Sequence, residues 1–269
     1  MINRKTLARL GMLLGSILVL NACVTEGTGA NLTQFKGLSK KERQEEHAKF
    51  RTQQAMAYFI EMRDYRQAVA SIEDAIKSDA DYDMAWLVRA QIYQALKTYD
   101  KAEESFRRAL SISPDSSEIN NNYGWYLCTI KQNYDQANQY FDRALADPTY
   151  PTPEKTYLNK AICSAKSGQT QMADSYFERA LTMNPEFIFV YKERARAKFN
   201  NGNVNAADEL FRVYQSKVER LMADDLLLGW RIAKAQGKEQ DAYEYEAQLR
   251  ESFPYSDELK TISKGGQNE

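Results

Sequence analysis

Six stretches of the chain repeat one pattern at a nearly constant period: an alanine, a position four residues on that is usually large and apolar, and an alanine or bulky residue three further on. They are Ala68-Ile72-Ala75, Ala102-Phe106-Ala109, Ala137-Phe141-Ala144, Ala173-Phe177-Ala180, Ala207-Phe211-Tyr214 and a degraded copy, Ala242-Glu246-Leu249. Successive leading alanines lie 34, 35, 36, 34 and 35 residues apart. Positions three and four apart share one face of a helix, so each stretch is the buried stripe of one helix. A period of this length leaves room for a second helix. A single helix pair cannot bury its apolar face alone, so neighbours must stack and share a continuous core. The small alanines let paired helices approach closely, and the large residue fills the gap between repeats.

The second repeat shows the other half of the pattern, with Trp86, Ala90 and Tyr93 on its first helix, Tyr99 in the turn, and Pro114 after the second helix. Pro185 and Pro254 stand at the same phase in the fourth and sixth repeats, where a helix must stop. The third repeat keeps Tyr123-Gly124 but has one extra residue before Ala137 and a longer exit through Pro148, Pro151 and Pro153, which predicts a bend in the stack. The period is that of the tetratricopeptide repeat (TPR). The expected fold is therefore all-α: a TPR solenoid of about six helix-turn-helix repeats, a right-handed superhelix with a concave groove. The TPR domain is expected over 39–256, with repeats at about 49–82, 83–116, 117–153, 154–187, 188–222 and 223–256. Residues 257–269 read as a mobile tail, and Glu246 as part of a polar terminal face. The charged stretch Ser39 to Glu46 reads as the solvated start of a helix, with Ser39 as N-cap and Glu42 completing a capping box; a contact with a partner or lipid head groups is the other reading.

At the N-terminus, Asn3-Arg4-Lys5 and Arg9 precede an apolar run from Leu10 to Leu20, the layout of an export signal. The run is well short of the roughly twenty residues a spanning helix needs. It ends in Leu20-Asn21-Ala22-Cys23, which resembles the lipobox of bacterial lipoproteins, although Asn21 is unusual at its position. That resemblance implies a signal peptide over 1–22, acylation of Cys23 as the first mature residue, and a flexible lipidated tether over 23–38. Several acyl chains hold durably where one would be reversible. Val24, in place of the aspartate that retains such proteins in the inner membrane, implies an outer-membrane location facing the periplasm.

Chemistry is sparse. The chain's 36 basic and 37 acidic side chains nearly balance, and loss of the signal makes it slightly more acidic, so it has no basic field for nucleic acid. His47, the only histidine, lies among Glu45, Glu46 and Lys49 and reads as solvated surface. Without it no Ser-His-Asp set can be assembled; no His/Cys cluster has metal-ligand spacing, and no glycine-rich phosphate loop is present. Catalytic, metal and cofactor sites are therefore not expected, nor is a small-molecule substrate. The acidic pairs Asp224-Asp225 and Glu103-Glu104 read as solvent-facing. Cys128 and Cys163 fall on the first helices of neighbouring repeats, whose axes lie about 8–10 Å apart, whereas a disulfide needs Cα atoms within about 7 Å. They are expected to stay unbridged.

Stacked first helices form a channel, and in TPR proteins the second, fifth, ninth and twelfth positions of each repeat line it. Here those are Phe50, Gln53, Ala57 and Ile60; Met84, Leu87, Gln91 and Gln94; Glu118, Asn121, Trp125 and Cys128; Lys155, Leu158, Ile162 and Ala165; and Phe189, Lys192, Arg196 and Phe199. Much of this set is apolar, which predicts an exposed apolar groove of the kind that marks a partner site, unless inter-repeat packing buries it. The partner-binding residues expected are Phe50, Ala57, Ile60, Met84, Leu87, Gln91, Asn121, Trp125, Leu158, Ile162, Phe189 and Phe199. A bound chain would be a helix or an extended peptide with spaced apolar anchors.

Lipobox, short tether and six repeats, with Tyr99-Asp100-Lys101-Ala102 and above all the run from Asn120 to Cys128, resemble the PilW/PilF family of type IV pilus biogenesis lipoproteins. The resemblance implies a pilotin, which binds the secretin subunit of the pilus machine and promotes its outer-membrane localisation and assembly. A TPR adaptor for another envelope client, such as a barrel-assembly or peptidoglycan hydrolase complex, fits the repeats equally well. An enzyme using the concave face as its cleft is the remote alternative.

Overall fold

The computed structural model describes residues 37–265. The expected signal peptide, Cys23 and most of the tether fall outside them. Among the described residues there are thirteen α-helices and no strand. The described residues fall into two units, 37–43 and 44–265. In the first, Ser39 and Glu42 form the expected capping box: the Ser39 amide donates to Glu42 Oε2 at 2.7 Å and the Glu42 amide to Ser39 Oγ at 3.2 Å.

In the second unit the helices run in pairs: α1 (Lys40–Ile60) with α2 (Tyr65–Ser78), α3 (Asp83–Ala95) with α4 (Tyr99–Ile112), α5 (Ser117–Thr129) with α6 (Tyr134–Ala144), α7 (Pro153–Lys166) with α8 (Thr170–Met183), α9 (Phe189–Asn200) with α10 (Val204–Gln215), and α11 (Ala223–Ala235) with α12 (Glu239–Ser252). The repeated triplets lie on the second helices and are buried as their spacing requires, from Ala68, Ile72 and Ala75 through Phe106, Phe141 and Phe177 to Phe211 and Tyr214. The large residue does bridge repeats: the Phe106 ring lies 5.4 Å from Tyr123 and 5.3 Å from Tyr126 of the next pair. Small residues set the approach within a pair. A Cβ on Gly124 would come within 2.8 Å of the Phe141 ring, and one on Gly229 within 2.7 Å of Tyr245.

The turn inside each pair repeats as faithfully as the core. Arg63, Lys97, Gln132, Gly168, Gly202 and Gly237 all have positive φ, from 53° to 82°. The first three pairs therefore hold ordinary residues in the left-handed region that glycine occupies in the last three. Asp64, Asn133 and Asn203 then cap α2, α6 and α10 through their side chains.

Two expectations are corrected. Residues 257–265 are not a loose tail: α13 (Asp257–Gly265) buries Ile262 and packs Leu259 against Leu226, Leu227 and Leu249. Leu259 and Ile262, three apart, make a short apolar stripe, and Ser256 Oγ caps the helix by accepting from the Leu259 amide at 3.1 Å. Cys128 and Cys163 are disulfide-bonded, with Cα atoms 5.9 Å apart. The expectation used the distance between axes, but Cα atoms sit about 2.3 Å off each axis, so residues facing one another across an 8–10 Å gap approach to about 3.4–5.4 Å, and those facing slightly aside stay within bridging range.

Candidate partner-binding groove

At the centre of the groove, side-chain amides cross from one first helix to the next. Gln91 of α3 donates through Nε2 to Asn122 Oδ1 of α5 at 2.9 Å, and Asn159 of α7 donates through Nδ2 to Asn121 Oδ1 of α5 at 3.0 Å. These four residues, with Glu118, Lys155, Leu158, Phe187 and the loop residues Tyr150 to Thr152, line a cavity of about 490 Å³. The loop is the long exit from the third repeat. It is held locally by Asp147, whose carboxylate accepts from the Thr149 hydroxyl at 2.7 Å and its amide at 2.8 Å, bonds that also lower the Asp147 pKa.

Towards the C-terminal end the crossings become ionic. Lys192 of α9 reaches Asp224 at 3.4 Å and Asp225 at 2.9 Å, and Arg196 meets Asp224 at 2.7 Å. Burial works against the Arg196 charge, but Glu193 and Asp224 more than offset it and its pKa is raised. Asp225, read from sequence as solvent-facing, is fully buried: it occupies the third position of α11, where its Oδ2 accepts from the Met222 amide at 2.9 Å and from the Tyr214 hydroxyl at 3.1 Å. Burial, and then the Asp225 charge, push the Tyr214 phenol well above its ordinary range. Between α7 and α9 a smaller cavity of about 270 Å³ is lined by Ile162, Lys166, Asp174, Glu193 and Arg196.

The expected apolar groove is therefore broken up. Leu87 is 1% exposed inside the central core, and Leu158, at 8%, offers the cavity only an edge. Asn121 is nearly buried and bonded to Asn159, while Gln91 is bonded to Asn122. Met84 and Trp125 pack on the central core, Ile162 on that of the fourth repeat, and Phe199 on that of the fifth. Ala57 is half-buried. Only Phe50, Ile60 and Phe189 stand out, at 38%, 61% and 49% exposed. The physical reason is shared: groove positions are also the positions that face the neighbouring first helix, and the seams between repeats use them. Sequence reasoning missed Asn122 and Asn159, although the run Asn120-Asn121-Asn122 on an otherwise apolar helix was a visible signal.

His47 is not free surface. Its Nδ1 lies 2.8 Å from Ser78 Oγ, and its Nε2 lies 3.9 Å from Asp74. The Ser78 hydroxyl donates its single proton to the Asp74 carbonyl at 3.1 Å, so the imidazole is the donor to Ser78. Arg51 holds the Asp74 carboxylate at 2.7 Å. The group ties α1 to α2. It is not arranged for a histidine to activate serine. Among the described residues no cluster of His, Cys, Asp and Glu could hold a metal, and no helix is long and apolar enough to cross a membrane.

Comparison with known proteins follows the same lines. The family model described as "Tetratricopeptide repeat protein 21 N-terminal ARM repeat" matches residues 34–207. The crystal structure of PilW, a "widely conserved type IV pilus biogenesis factor", is 59% identical, with a TM-score of 0.71 over 80% of this chain and 97% of that one. "Type IV pilus assembly protein PilF" of Pseudomonas aeruginosa is 26% identical over 237 residues, 88% of this chain and 90% of that protein. A tetratricopeptide repeat protein from Parabacteroides merdae shares the fold, with a TM-score of 0.69 at 20% identity over 81% of this chain and 83% of that one.

Proposed function

Because this chain belongs to the PilW/PilF-type TPR proteins of type IV pilus biogenesis, its repeats falling in the tetratricopeptide protein 21 N-terminal ARM repeat family, we propose that it is an outer-membrane pilotin. Acylation at Cys23 anchors it to the periplasmic face of the outer membrane. Its repeats hold the pilus secretin subunit, and the anchor brings that client to the membrane where its multimer assembles. The chain acts by tethering, as a scaffold and not an enzyme.

The observation that carries the binding half is the surface of α1. Phe50 and Ile60, 38% and 61% exposed, both lie on α1, and among the described residues no helix precedes it to cover them. Exposed aromatic and aliphatic anchors on a rigid helix suit an apolar client segment. Purified mature chain is expected to bind the periplasmic part of the secretin, and Phe50→Glu with Ile60→Glu to weaken that binding at least tenfold with the helical content unchanged. Equal binding by the double variant would contradict the reading.

A further inference from the structure

We propose that the seam between the second helices of repeats three and four, on the side away from the groove, is a docking site for an acidic turn of a second partner protein. This goes beyond the pilotin reading and does not depend on which client the first helices hold.

The chain closes its own earlier seams with the linkers between repeats. Linker 79–82 folds back so that the Ala80 carbonyl accepts from Trp86 Nε1 at 2.9 Å and from Arg108 at 3.4 Å, while the Asp81 carboxylate accepts from Arg108 at 3.0 Å. Linker 113–116 does the same, its Pro114 carbonyl accepting from Asn120 Nδ2 at 2.8 Å. In both, the ring or amide donor lies six residues after the carbonyl. By repeat phase, Tyr157 is the counterpart of Trp86 and Asn120, Arg179 of Arg108, and Lys160 of Arg89. Lys160 pairs with Asp142 of α6 as Arg89 pairs with Glu73 of α2. The linker does not follow suit. Residues 145–152 are twice as long a connection, and Tyr150 to Thr152 line the groove cavity instead. The outer seam is left open as a cavity of about 510 Å³, within the range of about 300–1,000 Å³ usual for binding pockets.

Its walls keep the donors of the first seam without their acceptors. Among the described residues the Tyr157 and Tyr176 hydroxyls have no hydrogen-bond partner, and the exposed Arg179 meets no carboxylate; its guanidinium lies 5.9 Å from the centre of the Tyr157 ring. The Lys160 and Asp142 charges cancel, so Arg179 leaves the cavity with one net positive charge. Met172, 46% exposed, adds an apolar wall. An occupant that answers these groups presents a carbonyl to the Tyr157 hydroxyl and, one residue later, a carboxylate to Arg179. That is what Ala80-Asp81 presents at the first seam. A guanidinium holds a carboxylate by two parallel charge-assisted bonds, which fixes orientation as well as adding strength.

The test uses the full mature chain in its Cys23→Ala form, so that acyl chains play no part, and disulfide-constrained peptides selected on it from a random phage-displayed library. Peptides that also bind Ser175→Trp, which fills the cavity without changing its charge, are discarded. The remaining peptides are expected to share an Asp or Glu, and its replacement by the amide should weaken binding about tenfold. Arg179→Gln should match that loss, Tyr157→Phe should weaken binding about threefold, and Phe50→Glu with Ile60→Glu should change nothing. The proposal is overturned if no such peptide emerges, if those that emerge need no acidic residue, or if they bind Arg179→Gln like the parent. Phosphatidylethanolamine vesicles containing phosphatidylglycerol are the second probe. Binding to them that Arg179→Gln abolishes, with no peptide bound, would assign the seam to a lipid surface and overturn the protein partner.

Discussion

The first repeat and the seam between the third and fourth repeats use equivalent helix positions for opposite ends. On α1, the first of the described helices, Ile60 is mostly exposed and Phe50 partly so. At the α5–α7 seam the same kinds of position carry Cys128, bonded to Cys163; Asn121, bonded to Asn159; and Leu158, nearly buried. The difference teaches that a groove position in a solenoid is free for a partner only where its neighbour does not take it. The N-terminal repeat leaves apolar side chains exposed, while the centre is clamped and presents polar edges.

The comparison can be broken or sharpened experimentally. Replacing both Cys128 and Cys163 by alanine should cost about 2–4 kcal/mol, because the bridge closes a 35-residue separation in the unfolded chain. Chemical denaturation reads this directly, and an unchanged midpoint would deny the clamp. Gly124→Ala, which forces a methyl against the Phe141 ring and the Ala137 carbonyl, should cost about 1–3 kcal/mol by the same assay. Gly202→Ala, at φ 79° with open space around it, should cost only the left-handed backbone penalty of about 1 kcal/mol. Its mirror, Lys97→Gly at φ 58°, should be neutral or stabilise by up to about 1 kcal/mol, because relief of the backbone is partly offset by glycine's entropy. Phe50→Glu with Ile60→Glu should cost no more than about 1 kcal/mol, since Ile60 is 61% exposed and Phe50, at 38%, has only part of its ring packed. A large loss there would mean that α1 is core and not an open surface.

The repeats were legible in the sequence because the pattern recurs six times and each copy reports on the same stripe, as Phe106, Phe141, Phe177 and Phe211 show. The groove was less legible because periodicity gives a residue's phase on its own helix and not what the adjacent helix does with it. Leu87 and Asn121 have groove phase, yet packing absorbs one and an amide bond the other. Asp225 was misread for a related reason: adjacency to Asp224 suggested solvent, but the third position of a helix lets a carboxylate turn back to the helix start, here into a buried site beside Lys192 and Tyr214. The terminal helix α13 escaped notice because two apolar residues are a weak stripe until Leu226 and Leu227 are known to await cover.

The central claim, that the chain carries the secretin to its place of assembly, is tested most directly by fractionating a deletion strain and following the secretin by heat-resistant multimer formation and membrane location, with the intact gene and its Cys23→Ala form restored in parallel. The account predicts monomeric or inner-membrane secretin without the protein, rescue by the intact gene, and misplaced secretin with the unacylated form; normal outer-membrane multimers in the deletion strain would contradict it and turn attention to a different envelope client.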